Sequence, residues 1–153
     1  MILCEFSSRY TAALRSAALT QQVKLEERGW AQMHKEIFPP ASLLVVEAAY
    51  SHLEEVATWI EKIARRQPMV KTVALLPPGV EETSCWRWLL LEAGATFVIG
   101  SPCMAEKVVD IAKRHASLVP EIPEAETDKI WNRLPWPSLA TNLSTTDQLT
   151  TDQ

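Results

Sequence analysis

Apolar and polar positions along the chain follow two periods in turn, which predicts strands and helices in alternation. Short apolar or alternating runs predict five strands, at residues 2–6, 23–27, 43–46, 70–76 and 96–99. Three- and four-residue spacing of apolar positions predicts five helices, at residues 8–20, at 30–37, from Leu53 to the break at Pro68, at 81–93 and at 105–116. Ser7 is a suitable N-cap for the first helix. The run at 43–46 has no polar alternation, which is typical of a central parallel strand buried on both faces.

Five strand–helix units in succession predict an α/β fold. Right-handed crossovers would place the strands in a doubly wound, flavodoxin-like parallel sheet of order 2-1-3-4-5, with helices on both faces. Ligands and chemistry in such a sheet lie at the carboxyl ends of the strands. In this chain those ends fall near residues 5–8, 47–50, 76–79 and 100–103. We therefore expect one domain over residues 1–119, with its functional site in these loops.

The chain changes character after residue 119, and an irregular C-terminal tail is predicted there. Prolines break regular structure, but residues 130–137 read Ile-Trp-Asn-Arg-Leu-Pro-Trp-Pro and include Trp131 and Trp136. A solvent-exposed linker does not normally carry such an apolar segment, so residues 120–140 are predicted to dock or to bind a partner. Residues 141–153 contain Thr-Thr-Asp-Gln twice and are predicted to be disordered.

Composition excludes several classes of protein. The 153 residues include 15 Lys+Arg and 19 Asp+Glu, and this net charge of −4 favours neither nucleic acid nor an anionic membrane surface. No apolar run reaches the roughly 18 to 20 residues of a membrane helix. The first residues do not resemble an export signal, so a cytoplasmic location is expected. Three widely spaced cysteines fit reduced thiols better than a disulfide framework.

Two segments resemble the receiver domains of bacterial two-component response regulators. Residues 94–102, Gly-Ala-Thr-Phe-Val-Ile-Gly-Ser-Pro, align without gaps on the family stretch Gly-Ala, two polar residues, Tyr-Leu-x-Lys-Pro. Residues 40–47 resemble the strand that ends in the phosphoacceptor aspartate. The resemblance covers about residues 1–118 and implies the receiver fold.

The phosphotransfer chemistry implied by this resemblance does not carry over to the residues. Glu47 stands at the nucleophile position, and its extra methylene displaces the carboxylate from the place that in-line attack requires. Glu5 is the one carboxylate where the family has an acid pair for Mg²⁺. Leu76 or Pro77 replaces the hydroxyl residue, and Ser101 replaces the lysine.

These departures predict a non-catalytic pseudo-receiver that acts through protein contacts, independently of phosphorylation, and uses no metal or cofactor. In a sharper version Glu47 imitates the charge of a phosphoaspartate. In the simplest version it is a solvated acid at the end of a strand.

Trp86 and Trp88 mark the expected partner surface. Two positions apart on a helix correspond to about 200°, so the two rings cannot both face the sheet. In receivers this region binds output partners or a second receiver, and tryptophan is enriched among binding hot spots. We expect a protein partner or a homodimer at this face, with residues 130–137 of the same chain as an alternative cover.

Other functions stay open at this point. A small flavodoxin-like enzyme or ligand-binding protein would use the crevice around Glu5, Glu47 and Ser101, and phosphorylation on an unusual residue is a third possibility. A basic patch of Lys62, Arg65, Arg66 and Lys71 is more typical of a solvated helix end than of a nucleic-acid surface. The histidines His34, His52 and His115 lack metal-ligand spacing, and neither Ser84 nor Ser101 belongs to a nucleophile elbow.

Overall fold

The computed structural model describes residues 1–34, 37–77, 79–80 and 85–118 of the chain. Its five strands form one parallel sheet with the order β2-β1-β3-β4-β5. The predicted α/β fold and strand order are thereby confirmed. The strands are β1 (Ile2–Cys4), β2 (Glu26–Glu27), β3 (Leu43–Glu47), β4 (Lys71–Leu75) and β5 (Phe97–Ile99).

Helices cover both faces of the sheet. α1 and α5 pack on one face, whereas α2, α3 and α4 pack on the other. Short 3₁₀ turns precede α3 and α5. None of the helices described combines the length and the apolar character needed to cross a bilayer. The helices are α1 (Thr11–Thr20), α2 (Trp30–Met33), α3 (Leu53–Arg66), α4 (Cys85–Glu92) and α5 (Ala105–Leu118), and the turns are Tyr50–His52 and Pro102–Met104.

β3 shows how the apolar run builds two cores at once. Its side chains alternate, so Leu43 and Val45 join the core beneath α1 and α5, while Leu44 and Val46 join the core beneath α2, α3 and α4. All five residues of β3 are buried. By the same alternation Glu47 leaves the sheet on the α1 side, and this direction decides its role in the site.

The prediction that Ser7 caps α1 is wrong, and the helix begins at Thr11 rather than at residue 8. The Glu5 carboxylate takes that place, because it accepts hydrogen bonds from the backbone N–H of Tyr10 and from the Thr11 hydroxyl. Ser8 has a left-handed φ of 57°, which keeps the preceding residues out of the helix. The residues between β1 and α1 therefore form a loop with its own hydrogen bonds.

Other boundaries differ from the predictions at the ends of elements. β2 has two residues instead of the expected five, and they pair with Ile2 and Leu3 of the three-residue β1. α2 is a single turn, whereas the sequence predicts a helix over 30–37. Part of the helix predicted over 81–93 lies outside the described residues, as does the tail from residue 119 onward.

The connection from α4 to β5 depends on Gly94. Its φ is +107°, and a Cβ added there would lie 2.8 Å from the Cβ of Ala64 on α3. Glycine therefore lets the chain turn while it passes close to α3.

Replacing Gly94 with alanine is expected to lower the free energy of unfolding by about 2 to 4 kcal/mol, because strain at positive φ adds to the clash with Ala64. Gly29→Ala is the matched control, since φ is −73° there and no atom lies within 4 Å of the added Cβ. It should cost less than about 1 kcal/mol. Urea unfolding followed by tryptophan fluorescence measures both values, and equal losses would contradict the argument.

Candidate functional site at the carboxyl ends of the strands

The Glu47 carboxylate is the centre of the site. It lies at the end of β3 and accepts three hydrogen bonds from the loop between β1 and α1. Oε2 accepts from the backbone N–H groups of Phe6 (2.7 Å) and Ser7 (2.8 Å), and Oε1 accepts from the Ser7 hydroxyl (2.7 Å). Both oxygens of this carboxylate are therefore engaged within the protein.

Glu47 is only 1% exposed, so the interpretation of this residue as a solvated strand-end acid is wrong. A carboxylate in such a place is stable only if hydrogen bonds replace its water, and three charge-assisted bonds supply that replacement. The charge also acts on a neighbour. Burial first, and the Glu47 charge second, raise the pKa of the Cys4 thiol to about 11. Cys4 is thus a neutral core thiol at pH 7.

Glu5 lies at the end of β1 and is engaged in the same loop. Its two oxygens accept from the backbone N–H of Tyr10 and from the Thr11 hydroxyl (2.6 Å). A carboxylate at the start of a helix also interacts favourably with the helix dipole. Glu5 therefore acts as the side-chain cap of α1. In the described part of the chain, no group of three or more His, Cys, Asp or Glu residues could hold a metal ion.

The other two substituted positions also have local structural roles. The Ser101 hydroxyl accepts from the backbone N–H of Cys103 (3.4 Å) at the start of the 3₁₀ turn Pro102–Met104, and it lies 3.0 Å from the Cys103 Sγ. The Ser101–Pro102 peptide bond is trans. Leu76 and Pro77 are buried after β4, and the Leu76 carbonyl accepts a hydrogen bond from the Tyr10 hydroxyl (2.8 Å).

A cluster of aromatic and histidine rings beside this loop was not anticipated from the sequence. The Phe6 ring stacks on His52 with centroids 4.9 Å apart and lies 5.8 Å from Trp30. Trp30 also meets the edge of Trp59 (5.5 Å). The Glu55 carboxylate accepts from Trp30 Nε1 (3.0 Å) and contacts His52 Nδ1 (3.1 Å). No local signal could reveal this cluster, because its members come from three separate segments of the chain.

The two tryptophans of α4 differ in exposure. Trp86 is half-buried against the core and meets the Tyr50 ring at 5.0 Å, whereas Trp88 is 64% exposed. Leu89 next to it is 41% exposed. One ring therefore faces outward, as the helical spacing requires. Trp131 and Trp136, the other predicted partner-binding residues, lie outside the described residues.

Comparison with solved structures identifies the fold as that of CheY-like receiver domains. A CheY-like protein (tadZ) from Pseudomonas aeruginosa PAO1 is 17% identical, with a TM-score of 0.54 over 80% of this chain and 98% of that one. A response regulator from Thermotoga maritima is 18% identical, with a TM-score of 0.53 over 76% of this chain and 96% of that one. A response regulator receiver domain protein (CheY-like) from Methanospirillum hungatei JF-1 is 16% identical, with a TM-score of 0.52 over 76% of this chain and 95% of that one.

At these identities the likeness concerns the fold alone. No protein-family model matches the chain, and no curated protein does.

Glu47→Ala is expected to lower the free energy of unfolding by about 2 to 4 kcal/mol, because it leaves the Phe6 and Ser7 N–H groups without their acceptor. Glu47→Gln should cost only about 1 kcal/mol, since its amide oxygen can accept from both N–H groups while its NH₂ donates to the Ser7 hydroxyl. Urea unfolding of the three proteins measures the difference. Equal stability of Glu47→Ala and the wild type would show that the loop does not depend on the carboxylate.

Proposed function

We propose that the chain is a pseudo-receiver, a non-catalytic protein–protein interaction module of bacterial signalling or regulation that works without phosphorylation. The observation that carries this proposal is the state of Glu47, which is 1% exposed and accepts three hydrogen bonds from the β1–α1 loop. A phosphoryl acceptor needs an accessible carboxylate oxygen in line with the phosphorus atom. Both carboxylate oxygens of Glu47 instead accept hydrogen bonds from the β1–α1 loop.

The remaining parts of a phosphotransfer site support the same proposal. Phosphoryl transfer depends on positive charge and on a cation that neutralise the developing charge on the phosphoryl oxygens. Mg²⁺ takes oxygen ligands in near-ideal octahedral geometry, but the oxygens of Glu5 cap α1. Ser101 adds no positive charge and caps a 3₁₀ turn. Glu5 and Ser101 are thus both engaged in hydrogen bonds within the protein.

The hydrogen bonds of Glu47 also concern the hypothesis that Glu47 imitates the charge of a phosphoaspartate. They lead to the loop after β1, whereas the resemblance implies that a phosphoryl group would contact the positions after β4 and β5, here Leu76 or Pro77 and Ser101. The contacts support a role in which the charge holds the β1–α1 loop in one conformation. A ligand in the crevice around Glu47 would have to displace that loop before it reached the carboxylate.

Trp88 is the most exposed large apolar side chain of α4. Together with Leu89 it presents apolar surface, while Trp86 beneath packs against the core and Tyr50. We propose that Trp88 and Leu89 contact a protein partner or a second copy of the chain, and that Trp86 supports them. A large exposed aromatic ring on a fixed helix is suited to this task, because little conformational entropy is lost when it is buried.

Incubation with acetyl phosphate and Mg²⁺ is expected to leave the mass of the protein unchanged, and beryllofluoride with Mg²⁺ should leave its tryptophan fluorescence unchanged. Intact-mass spectrometry and fluorescence titration measure these outcomes, with an active receiver as the positive control. Glu47→Asp restores the family nucleophile and should also stay unmodified, because Ser101 and the single acid after β1 are unchanged. A phosphorylated wild-type protein would contradict the proposal.

Trp88→Ala is expected to change the free energy of unfolding by less than about 0.5 kcal/mol, because the ring is mostly exposed. Trp86→Ala should cost about 2 kcal/mol, since it opens a cavity beside Tyr50 and the core. Urea unfolding gives both values. Sedimentation velocity then compares the oligomeric states of the wild type and Trp88→Ala. If the wild type is a dimer, Trp88→Ala should be a monomer. Equal destabilisation by the two variants would mean that Trp88 is a packing residue.

A further inference from the structure

A groove runs between α2 and α3, on the same face of the sheet as α4. It consists of two adjoining cavities of about 310 and 350 Å³, which share His34, Trp59 and Lys62 in their walls. This groove is separate from the Glu47 site and from the Trp88 surface. Its size allows it to take a few side chains of a bound segment.

The apolar part of the groove is held in place by hydrogen bonds. Trp59 Nε1 donates to the Met33 carbonyl (3.3 Å), which ties α3 to α2. The backbone N–H of Phe38 donates to Gln67 Oε1 (2.8 Å), which ties the chain after α2 to the end of α3. Ile37 at the rim is nevertheless 90% exposed. The groove thus carries an apolar side chain that little of the described chain covers.

The cations of the groove give it a charge preference. Lys62 and Arg66 lie one turn apart on α3 and line the larger cavity, and neither forms an ion pair within the described ranges. Arg65, which does not line the groove, is paired with Glu61 at 2.6 Å. The end of the groove near the C-terminus of α3 is therefore positive and available to a bound group.

The opposite end of the groove is acidic. Hydrogen bonds from Trp30 and His52 lower the pKa of the Glu55 carboxyl, so Glu55 is ionised at neutral pH and is engaged within the protein. Glu54 beside it lines the smaller cavity and is exposed. A bound segment therefore meets positive charge at one end of the groove and negative charge at the other, which defines its direction.

We propose that this groove binds a segment of another protein that carries an acidic residue next to apolar residues. The acidic side chain pairs with Lys62 and Arg66, and the apolar side chains cover Ile37 and the surface above Trp59. This inference rests on the proposed function of an interaction module and adds a second surface to it. Electrostatic complementarity of this kind sets the orientation of a bound segment and excludes partners of the wrong charge.

Nucleic acid fits the same groove less well. Of the basic patch noted in the sequence, Arg65 is paired with Glu61, and Lys71 donates to the Pro68 carbonyl (3.1 Å). Neither of these two residues lines the groove, which therefore offers two cations, Lys62 and Arg66, to a chain of phosphates, and Glu54 would repel its continuation along the groove. Nucleic-acid binding generally needs several phosphate contacts at once.

Selection of a phage-displayed library of random peptides on the full chain tests the proposal. We expect enriched peptides to carry Asp or Glu beside apolar residues. The double variant Lys62→Glu/Arg66→Glu should raise the Kd of these peptides by about tenfold or more. Arg65→Glu, a charge reversal outside the groove, should change the Kd by less than about twofold. Ile37→Ser should weaken binding without loss of stability, because its side chain is exposed.

The groove would be overturned as the binding site by no enrichment, by peptides that bind the double variant as well as the wild type, or by binding of duplex DNA in place of peptide. Peptides that lose binding only in Trp88→Ala would also exclude the groove, but they would support the interaction module. Phosphorylation of the wild type would instead refute the proposed function. It would not change the conclusion on whether the groove binds peptides. Circular dichroism of every variant confirms that each is folded.

Discussion

The carboxyl ends of the strands depend on one buried charge, the carboxylate of Glu47. Burial of an ion without partners would cost several kcal/mol, so the loop between β1 and α1 must present hydrogen-bond donors to it. Phe6 and Ser7 supply three, at 2.7 to 2.8 Å. That requirement fixes the path of the loop, and Glu5 then determines where α1 begins. At this edge of the sheet, two acids accept hydrogen bonds from backbone N–H groups and from the hydroxyls of Ser7 and Thr11.

The fold follows closely from the sequence because its signals are local and repeated. The apolar run of β3 predicts a central buried strand, and the periodic apolar residues of α3 predict the helix that covers it. Five such units leave few topologies, since crossovers are right-handed. Ends of elements are harder to predict. β2 has only two residues, which pair with Ile2 and Leu3 of β1, and the extent of that pairing is not visible in residues 23–27 themselves.

The sequence predicts where three candidate residues lie relative to the strands, but not what surrounds their side chains. Glu5, Glu47 and Ser101 all fall at the carboxyl ends of strands, as their order in the sequence requires. Whether Glu47 is solvated or buried depends on Phe6 and Ser7, about forty residues earlier, and on the left-handed backbone of Ser8. The local sequence around a glutamate at the end of a strand is the same whether its carboxylate is solvated or buried. The helical spacing of Trp86 and Trp88 predicts that one of the two rings is exposed. It does not predict that the exposed ring is Trp88.

Contacts connect the Glu47 loop with the groove between α2 and α3. Phe6, whose backbone N–H binds Glu47, stacks on His52 and contacts Trp30, and Trp30 meets both His34 and Trp59 of the groove. Contiguity alone does not make a switch, since coupling needs an element with two arrangements. A receiver gains two arrangements from adding and removing a phosphoryl group. Here the carboxylate that accepts the hydrogen bonds of the loop belongs to the Glu47 side chain, so the contacts that reach the groove include no group that is added and removed.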